Sequence, residues 1–358
     1  EMLEAGRLAN ESPPRLKTHD LKGHRIDRVE YHPAYHALMA MSTAQGLHMG
    51  SWEHLISGAN APAPGANVAR AAGSFMAAQT EAGHCCPITM TNAAVASLLL
   101  EPALAQDLLP KILVRDYDPA FKPIPEKRAI TIGMGMTEKQ GGSDVTSNLT
   151  QAEDLRDGTY RITGHKWFLS APMSDAFLVL AQSVPGLSCY LVPRFLPDGR
   201  RNGIRLMRLK DKLGNRSNAS SELEFDGTLA WLVGEEGRGI PTILQMGVFT
   251  RLDCALGSTG IMHQCVAQAV HHARHRRAFG RRLIDQPLMR NVLADLGARH
   301  ESIVVLNADL SGSTKTEAFH KKFPHRFFNM GIAEADMVRH YRLARLAHSL
   351  ARLCKLLA

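Results

Sequence analysis

Hydrophobic residues recur at helical spacing near the start of the chain and again after residue 240, and the stretch between them carries shorter apolar runs. Helical spacing covers Tyr35–Trp52, Ala66–Thr80 and Thr89–Leu100, with proline and glycine residues between these segments. Pro241 stands where the first turn of a helix tolerates proline, and helical spacing then continues to about Ala273. The pattern predicts a helical domain at each end.

The middle of the chain is typical of a β-domain. From about Lys127 the apolar runs become short and are separated by Gly, Asp and Pro turns. The predicted strands are Ala129–Met134, Tyr160–Leu169, Ala176–Gln182, Leu187–Val192 and Ser221–Phe225. We therefore expect an α+β protein with a helical domain at 1–127, a β-domain at 128–234 and the start of a helical bundle at 235–293.

Composition indicates a folded protein and limits the function classes. The 358 residues are 45% hydrophobic and 21% charged, without the long apolar run of a membrane helix, and the first residues lack the features of a signal peptide. We expect a cytoplasmic protein with no membrane partner. The six cysteines have no CxxC spacing, so we expect free thiols, with neither disulfides nor a metal site.

The chain is basic. A net charge of +8 and a pI near 9.3 favour attraction to phosphate groups, on a cofactor, on coenzyme A or on nucleic acid. Charge alone does not choose among these ligands.

A glycine-rich segment, 134–144, combines a strand end with hydroxyl side chains and paired glycines. Such a loop lets backbone N–H groups approach a flat or anionic ligand, although taken alone it is more typical of a polar turn. Further motifs follow in a consistent order: Gly164–Ser170, Lys212–Gly214 and Leu232–Gly239. Together they resemble the acyl-CoA dehydrogenase superfamily.

Within that superfamily the amino-acid sequence is most similar to the AidB-type alkylation-response flavoproteins, from about Leu3 to Val292. The segments that carry this likeness are 135–145, 208–218 and 286–290. The resemblance implies an acyl-CoA dehydrogenase fold with a β-barrel-like middle domain, bound FAD, acyl-CoA as a partner, weak dehydrogenase (oxidoreductase) activity, DNA binding and a homotetramer.

The resemblance also assigns candidate cofactor-binding residues. Trp167 flanks the isoalloxazine face, the Ser170 hydroxyl lies near N5, and Arg276 holds the FAD pyrophosphate across a subunit interface. The full set is Met134, Gly135, Met136, Thr137, Glu138, Lys139, Gln140, Gly141, Gly142, Ser143, Trp167, Phe168, Leu169, Ser170, Arg276 and Phe279.

No catalytic residue can be assigned. Acyl-CoA dehydrogenation needs a carboxylate that removes the α-proton. The family places it either in a late loop or just before the arginine that resembles Arg251, where this chain has Thr250. Asp253 is a poor positional substitute, so we expect little or no turnover.

The last part of the chain departs from this pattern. Residues 294–338 are similar to the thiamine-binding C-terminal half of transketolase, which implies that Glu334 activates thiamine diphosphate. The segment is shorter than a domain that buries its own core, so we interpret it as an inserted or recombined fragment. Residues 339–358 have the spacing of an amphipathic basic helix.

Three functions of different classes are compatible with these features. The leading hypothesis is an FAD-binding, AidB-like acyl-CoA dehydrogenase-family protein with an incomplete C-terminal bundle. The second is a DNA-protecting protein in which the flavin is structural. The third, a thiamine-dependent transketolase-like fragment, depends on residues 294–338 alone.

Overall fold

The structure is a computed structural model, and it describes residues 1–289, 292, 305–307 and 327–329. The predicted basic helix at 339–358 lies outside the described residues, as do most of residues 294–338. The helices are α1 (Met2–Glu11), α2 (Pro33–Ala44), α3 (His54–Ser57), α4 (Ala66–Thr80), α5 (Cys85–Leu98), α6 (Pro102–Ile112) and α7 (Gly239–His275).

The strands lie mainly in the middle of the chain, as the sequence predicted. They are β1 (Arg15–His19), β2 (Arg25–Glu30), β3 (Ile132–Gly135), β4 (Gln151–Asp154), β5 (Tyr160–Ser170), β6 (Ala176–Ser183), β7 (Gly186–Pro193), β8 (Ile204–Leu209), β9 (Ser220–Leu232), β10 (Arg277–Ala278), β11 (Arg281–Arg282), β12 (Val305–Asn307) and β13 (Phe327–Asn329).

The main sheet is a barrel-like arrangement of β3 to β9. Its strand order is β3-β5-β4-β6-β7-β9-β8, and the additional pairings β3–β6 and β5–β9 join strands that are distant in that order. The β6–β7 hairpin has a regular antiparallel register from Ala176↔Pro193 to Ser183↔Gly186. Nearly every residue of β6 and β7 is buried, because helices cover one face and the closed sheet covers the other.

Two apolar clusters form the core, one on each side of β6 and β7. The first joins residues of α5 and α6, such as Val95 and Ile112, to alternate residues of β6, such as Leu178. The second lies inside the barrel and contains Phe177 and Tyr190. The period-2 alternation of β6 therefore supplies both clusters.

The chain divides into two compact units. One comprises Glu1–Gly73 with Thr80–Thr250, and the other comprises Ser74–Gln79 with the chain from Arg251 onward. All predicted cofactor-binding residues lie in the first unit except Arg276 and Phe279, which lie in the second. Among the helices of the described residues, none combines the length and apolarity that crossing a bilayer requires.

Candidate functional site

The predicted loop and the predicted aromatic strand segment lie side by side. Strand β3 pairs with β5 at Gly135↔Leu169, which places the chain after β3 beside Trp167–Ser170. The Trp167 N–H donates to the Thr137 carbonyl over 2.8 Å and continues this contact beyond the strand. Segments that are about thirty residues apart in sequence thus form one surface of the barrel.

A β-bulge presents two aromatic rings on that surface. In the β5–β9 register, Lys166 pairs with Leu223 and Leu169 pairs with Ser221, so β5 carries one extra residue. Lys166 and Leu169 are both buried, and the intervening Trp167 and Phe168 are both half-buried. Strict alternation would have placed these two rings on opposite faces.

Lys210 confirms that the two rings share a face. Its Nζ lies 3.5 Å from the Trp167 ring centroid and 4.5 Å from that of Phe168. The same ammonium pairs with Glu222 at 2.6 Å, and hydrogen bonds from Arg208 and from Lys210 lower the pKa of Glu222 to about 2. The aromatic pair therefore lies in a cationic environment in which Glu222 stays ionised.

Hydroxyl groups gather at the end of β5. The register sets Ser170 opposite Ser220, and their hydroxyl oxygens are 3.1 Å apart. The ammonium of Lys212 donates to Ser220 Oγ over 3.1 Å and to the Asn218 carbonyl over 2.8 Å. Burial raises the pKa of the Cys86 thiol. The charge of Lys212 and hydrogen bonds with Ser170 and Asn218 oppose this rise in part. This edge offers hydroxyl donors and a fixed positive charge.

A buried ion pair supports the loop from behind. Lys166 Nζ and Glu138 Oε1 are 2.6 Å apart, and both side chains are fully buried. Burial would raise the pKa of Glu138, but hydrogen bonds from Lys166 and from Thr150 outweigh it and lower that pKa to about 2. The carboxylate also accepts from the Leu149 N–H at 2.7 Å. The Glu138 side chain thus holds the loop together through contacts within the protein.

The remaining loop residues are mostly exposed. Gly141 has a φ of +126° with open space around it, and a Cβ on Gly142 would lie 2.7 Å from Thr137 Oγ1. The Lys139 N–H donates to His165 Nε2 over 3.1 Å, and the Gln140 amide donates to Glu138. The predicted residues in this part of the site are Met134, Gly135, Met136, Thr137, Glu138, Lys139, Gln140, Gly141, Gly142 and Ser143, and among them Met134, Met136 and Thr137 are half-buried, whereas Gly135 and Glu138 are buried.

In the second unit, Arg276 precedes the short β10–β11 hairpin and Phe279 lies in its turn. Arg276 follows α7, and its carbonyl accepts from the Leu283 N–H at 2.9 Å. Phe279 has a φ of +51° and its side chain is 97% exposed. Asp253 is buried in α7, with 8% exposure. No described position tests the expectation that a catalytic base is missing, and it stays a prediction.

The donor set of the first unit fits a flavin. The half-buried rings of Trp167 and Phe168 suit a flat aromatic ligand, and the hydroxyl of Ser170 with the ammonium of Lys210 suits a ring that gains negative charge on reduction. The Gly141 and Gly142 backbone permits close approach. In the described part of the chain, no trio of His, Cys, Asp or Glu side chains is arranged to hold a metal ion.

Sequence reasoning missed several of these contacts. Lys210, Ser220 and Glu222 were not among the predicted site residues, although β8 and β9 bring them to the aromatic pair. The alternation of Ile204, Arg205 and Leu206 was the available sequence signal for β8, and in the structure Ile204 and Leu206 are buried whereas Arg205 is exposed. Neither the bulge nor the β5–β9 register can be derived from such a pattern.

Comparisons with known proteins identify three consecutive domains. Residues 1–119 match the adaptive response protein AidB N-terminal domain, residues 133–228 match the acyl-CoA dehydrogenase middle domain, and residues 237–353 match the acyl-CoA dehydrogenase C-terminal domain. The AidB protein of Escherichia coli strain K12 is 54% identical over 307 residues, which cover 86% of this chain and 56% of that protein.

Solved structures agree with this domain content. Caenorhabditis elegans ACDH-11 in complex with C11-CoA is 31% identical, with a TM-score of 0.75, and the match covers 84% of this chain and 51% of that one. Butyryl-CoA dehydrogenase from Megasphaera elsdenii, at 18% identity and a TM-score of 0.63 over 98% of this chain and 82% of that one, shares the fold. The chain spans about half the length of its more similar relatives.

The comparisons do not support the expectation of a transketolase-like segment at 294–338. The match to the acyl-CoA dehydrogenase C-terminal domain runs through 237–353 and includes that segment. Its described residues form one short parallel pair, Val305–Asn307 with Phe327–Asn329. The matches also do not favour the DNA-protection hypothesis, since they name AidB N-terminal and acyl-CoA dehydrogenase domains.

Proposed function

We propose that this chain, whose residues match an AidB N-terminal domain followed by acyl-CoA dehydrogenase middle and C-terminal domains, binds FAD with the flavin ring against Trp167–Ser170. The observation that carries the proposal is the bulge in β5. It sets Trp167 and Phe168 on one face, between the Met136–Gly142 loop and the Ser170–Ser220 hydroxyl pair.

When bound, FAD would supply an acceptor for the hydride removed from a substrate. The residues of the chain bind and orient the ring. The Ser170 hydroxyl would hold the ring at its N5 side, and N–H and hydroxyl donors of Met136, Thr137 and Ser143 would hold its N1 and O2 side. Lys210, held by Glu222 at 2.6 Å, adds a positive charge that favours the reduced, anionic ring. Arg276 is the proposed partner of the FAD pyrophosphate.

Acyl-CoA is the substrate class we propose. The relative in complex with C11-CoA and the match to acyl-CoA dehydrogenase domains support this choice. With Thr250 in place of a carboxylate, we propose that flavin binding persists while turnover is negligible, because general-base catalysis contributes on the order of 10²–10⁴-fold. We also propose a homotetramer, which analytical ultracentrifugation tests.

The absorbance spectrum of the purified protein is the direct test of FAD binding. We expect oxidised-flavin bands and a stoichiometric fluorescence titration of the apoprotein with FAD. Ser170→Ala should shift the bands, since it removes the hydroxyl near N5. Ser183→Ala is the matched control, because its hydroxyl bonds the Gly186 carbonyl at 2.9 Å in the turn between β6 and β7.

Failure of the proposal has a clear signature. A well-folded wild-type protein that takes up no FAD at any concentration would overturn it. Equal band positions for wild type, Ser170→Ala and Ser183→Ala would show that the flavin lies elsewhere.

A further inference from the structure

A buried ionic network lies between the helices of the first unit and the loop that follows β8. Glu81 and His84 precede α5, with His84 as its N-cap, and their relative exposures are 7% and 0%. His84 Nδ1 lies 3.0 Å from Glu81 Oε2, and the opposite ring nitrogen lies 2.9 Å from Ser42 Oγ. Neither side chain belongs to the set predicted from the motifs.

The network is charged. Burial opposes a charge on the His84 ring, whereas contacts with Cys85 and Glu81 favour it, and the net effect raises the pKa of His84. Burial would raise the pKa of Glu81, but hydrogen bonds from the His84 ring and from the His84 and Gly83 N–H groups, with the charge of His84, outweigh it and lower that pKa. An imidazolium that donates from both nitrogens is thus paired with a carboxylate.

Serine, histidine and glutamate in this order could in principle form a nucleophilic relay. Ser42 is only 2% exposed and packs inside the helical part of the first unit, so a substrate carbonyl has no approach to its hydroxyl. The network must act through its other contacts.

Those contacts lead to the loop of residues 210–219. Ser217 Oγ donates to Glu81 Oε1 over 2.8 Å, and Ser217 is 1% exposed. A Cβ on Gly83 would lie 2.0 Å from Ser217 Oγ and 3.1 Å from the Asn218 nitrogen, so the loop is pressed against the chain before α5. The Glu81 carboxylate therefore fixes where this loop lies.

The same loop forms the hydroxyl edge of the proposed flavin site. The carbonyl of Asn218 accepts from Lys212, and the carbonyl of Ala219 accepts from the Ala171 N–H at 2.8 Å. The next residue, Ser220, bonds Ser170. One continuous path of hydrogen bonds and three peptide units thus joins Glu81 to the Ser170 hydroxyl.

We propose that Glu81, held by His84, is a positioning residue that sets the Ser217–Ser220 segment and through it the orientation of the Ser170 hydroxyl toward bound flavin. The inference depends on the proposed function, and it adds a residue group that touches neither flavin nor substrate. Ser217→Ala removes the hydrogen bond from Ser217 to Glu81 and leaves the buried Glu81–His84 pair intact. The proposal can therefore be tested with this variant even if Glu81→Gln fails to fold.

The experiment compares the wild-type holoprotein with Ser217→Ala, Glu81→Gln and Ser97→Ala. Ser97 is a matched control, because its buried hydroxyl donates to the Thr242 carbonyl over 2.9 Å, among the helices. Two quantities are measured: the position and shape of the flavin absorption bands, and amide hydrogen exchange of residues 217–220. We expect Ser217→Ala to shift the bands, to raise the Kd for FAD and to speed exchange, the last two roughly tenfold. Ser97→Ala should change neither bands nor local exchange.

The outcomes separate the two proposals. If the wild type shows normal flavin bands, and Ser217→Ala changes neither these bands nor the amide exchange of residues 217–220, the positioning role is overturned and FAD binding is unaffected. Faster exchange with unchanged bands would reduce the network to a structural support and likewise overturn it. Absence of flavin from folded wild-type protein would overturn the proposed function and this inference with it.

Discussion

Replacing Lys166 with methionine should destabilise the protein strongly, because it leaves the Glu138 carboxylate buried without its countercharge. The two charged atoms are 2.6 Å apart, and both side chains are completely shielded from solvent. Methionine fills a similar volume, so the lost charge dominates the effect. Breaking a buried pair from one side costs about 3–5 kcal/mol.

The pKa of Glu138 leads to a similar magnitude. The folded protein holds it at about 2, against an ordinary value of 4.5. For the carboxylate alone this difference corresponds to about 3 kcal/mol at neutral pH, and burial, which lowers the pKa of the Lys166 ammonium to about 8, offsets part of it. Because the folded-state pKa is the lower one, this stabilisation is fully present above pH 4.5 and is lost as the pH falls toward 2.

Urea unfolding followed by circular dichroism at pH 7 and at pH 3.5 measures the effect. At pH 7 the free energy of unfolding of Lys166→Met should be about 3–5 kcal/mol lower than that of wild type, with a Tm roughly 10 °C lower. The gap should narrow at pH 3.5. In the wild type, Glu138 is then protonated in the unfolded chain but not in the folded protein, which lowers wild-type stability, whereas in the variant the buried carboxyl also takes up a proton in the folded state and its burial costs less. Lys17→Met is the control, because its pair with Glu30 is exposed and screened by solvent, so its loss should change stability little. A gap below about 1 kcal/mol, or one that does not change with pH, would refute the reasoning.

Three further outcomes follow from named residues. Burial lowers the pKa of His48 from 6.5 to about 4, so the free energy of unfolding of the wild type should fall as the pH drops from 6.5 toward 4. In urea titrations, His48→Gln should make this dependence on pH weaker. An unchanged pH dependence in the variant would contradict the prediction. Gly164 has a φ of +148°, and a Cβ there would lie 2.6 Å from the Thr150 Cα. Gly164→Ala should therefore lower the free energy of unfolding by at least about 2 kcal/mol in the same assay. Gly158→Ala, whose Cβ would meet open space, is the control and should lower it by about 1 kcal/mol. With isovaleryl-CoA or butyryl-CoA and an artificial electron acceptor, flavin-loaded protein should show negligible turnover; substantial FAD-dependent turnover would reveal an unassigned base, and Asp253→Asn would then be the first variant to assay.

The elements that the sequence predicted well are those with a strong local period. Helix α4 has the predicted bounds, Ala66–Thr80, and β6 and β7 differ from prediction by one residue at each end at most. The strands Arg15–His19 and Arg25–Glu30 were missed, because charged residues occupy most of their positions and leave little alternation of hydrophobicity.

In the candidate site, too, the local sequence predicted some features and the contacts between distant segments decided others. Motif order was sufficient to bring the Met134–Ser143 loop and the Trp167–Ser170 segment to one place, and the register confirms that they are neighbours. The motif could not distinguish Glu138, whose carboxylate faces the interior, from residues whose side chains face outward. That distinction depends on Lys166 and Thr150, which reach Glu138 only after β5 and β4 have paired.

Local sequence alone therefore determined which segments are helices and strands, their order, and the residue types available for a flavin, because these properties depend on spacing within a few residues along the chain. Only the tertiary structure decided which side chains meet. The bulge at Trp167 and Phe168, the position of Lys210 over both rings and the link from Glu81 to Ser217 depend on strand register and on contacts between segments far apart in sequence. Such contacts follow from the free energy of packing the whole domain, which no local pattern contains.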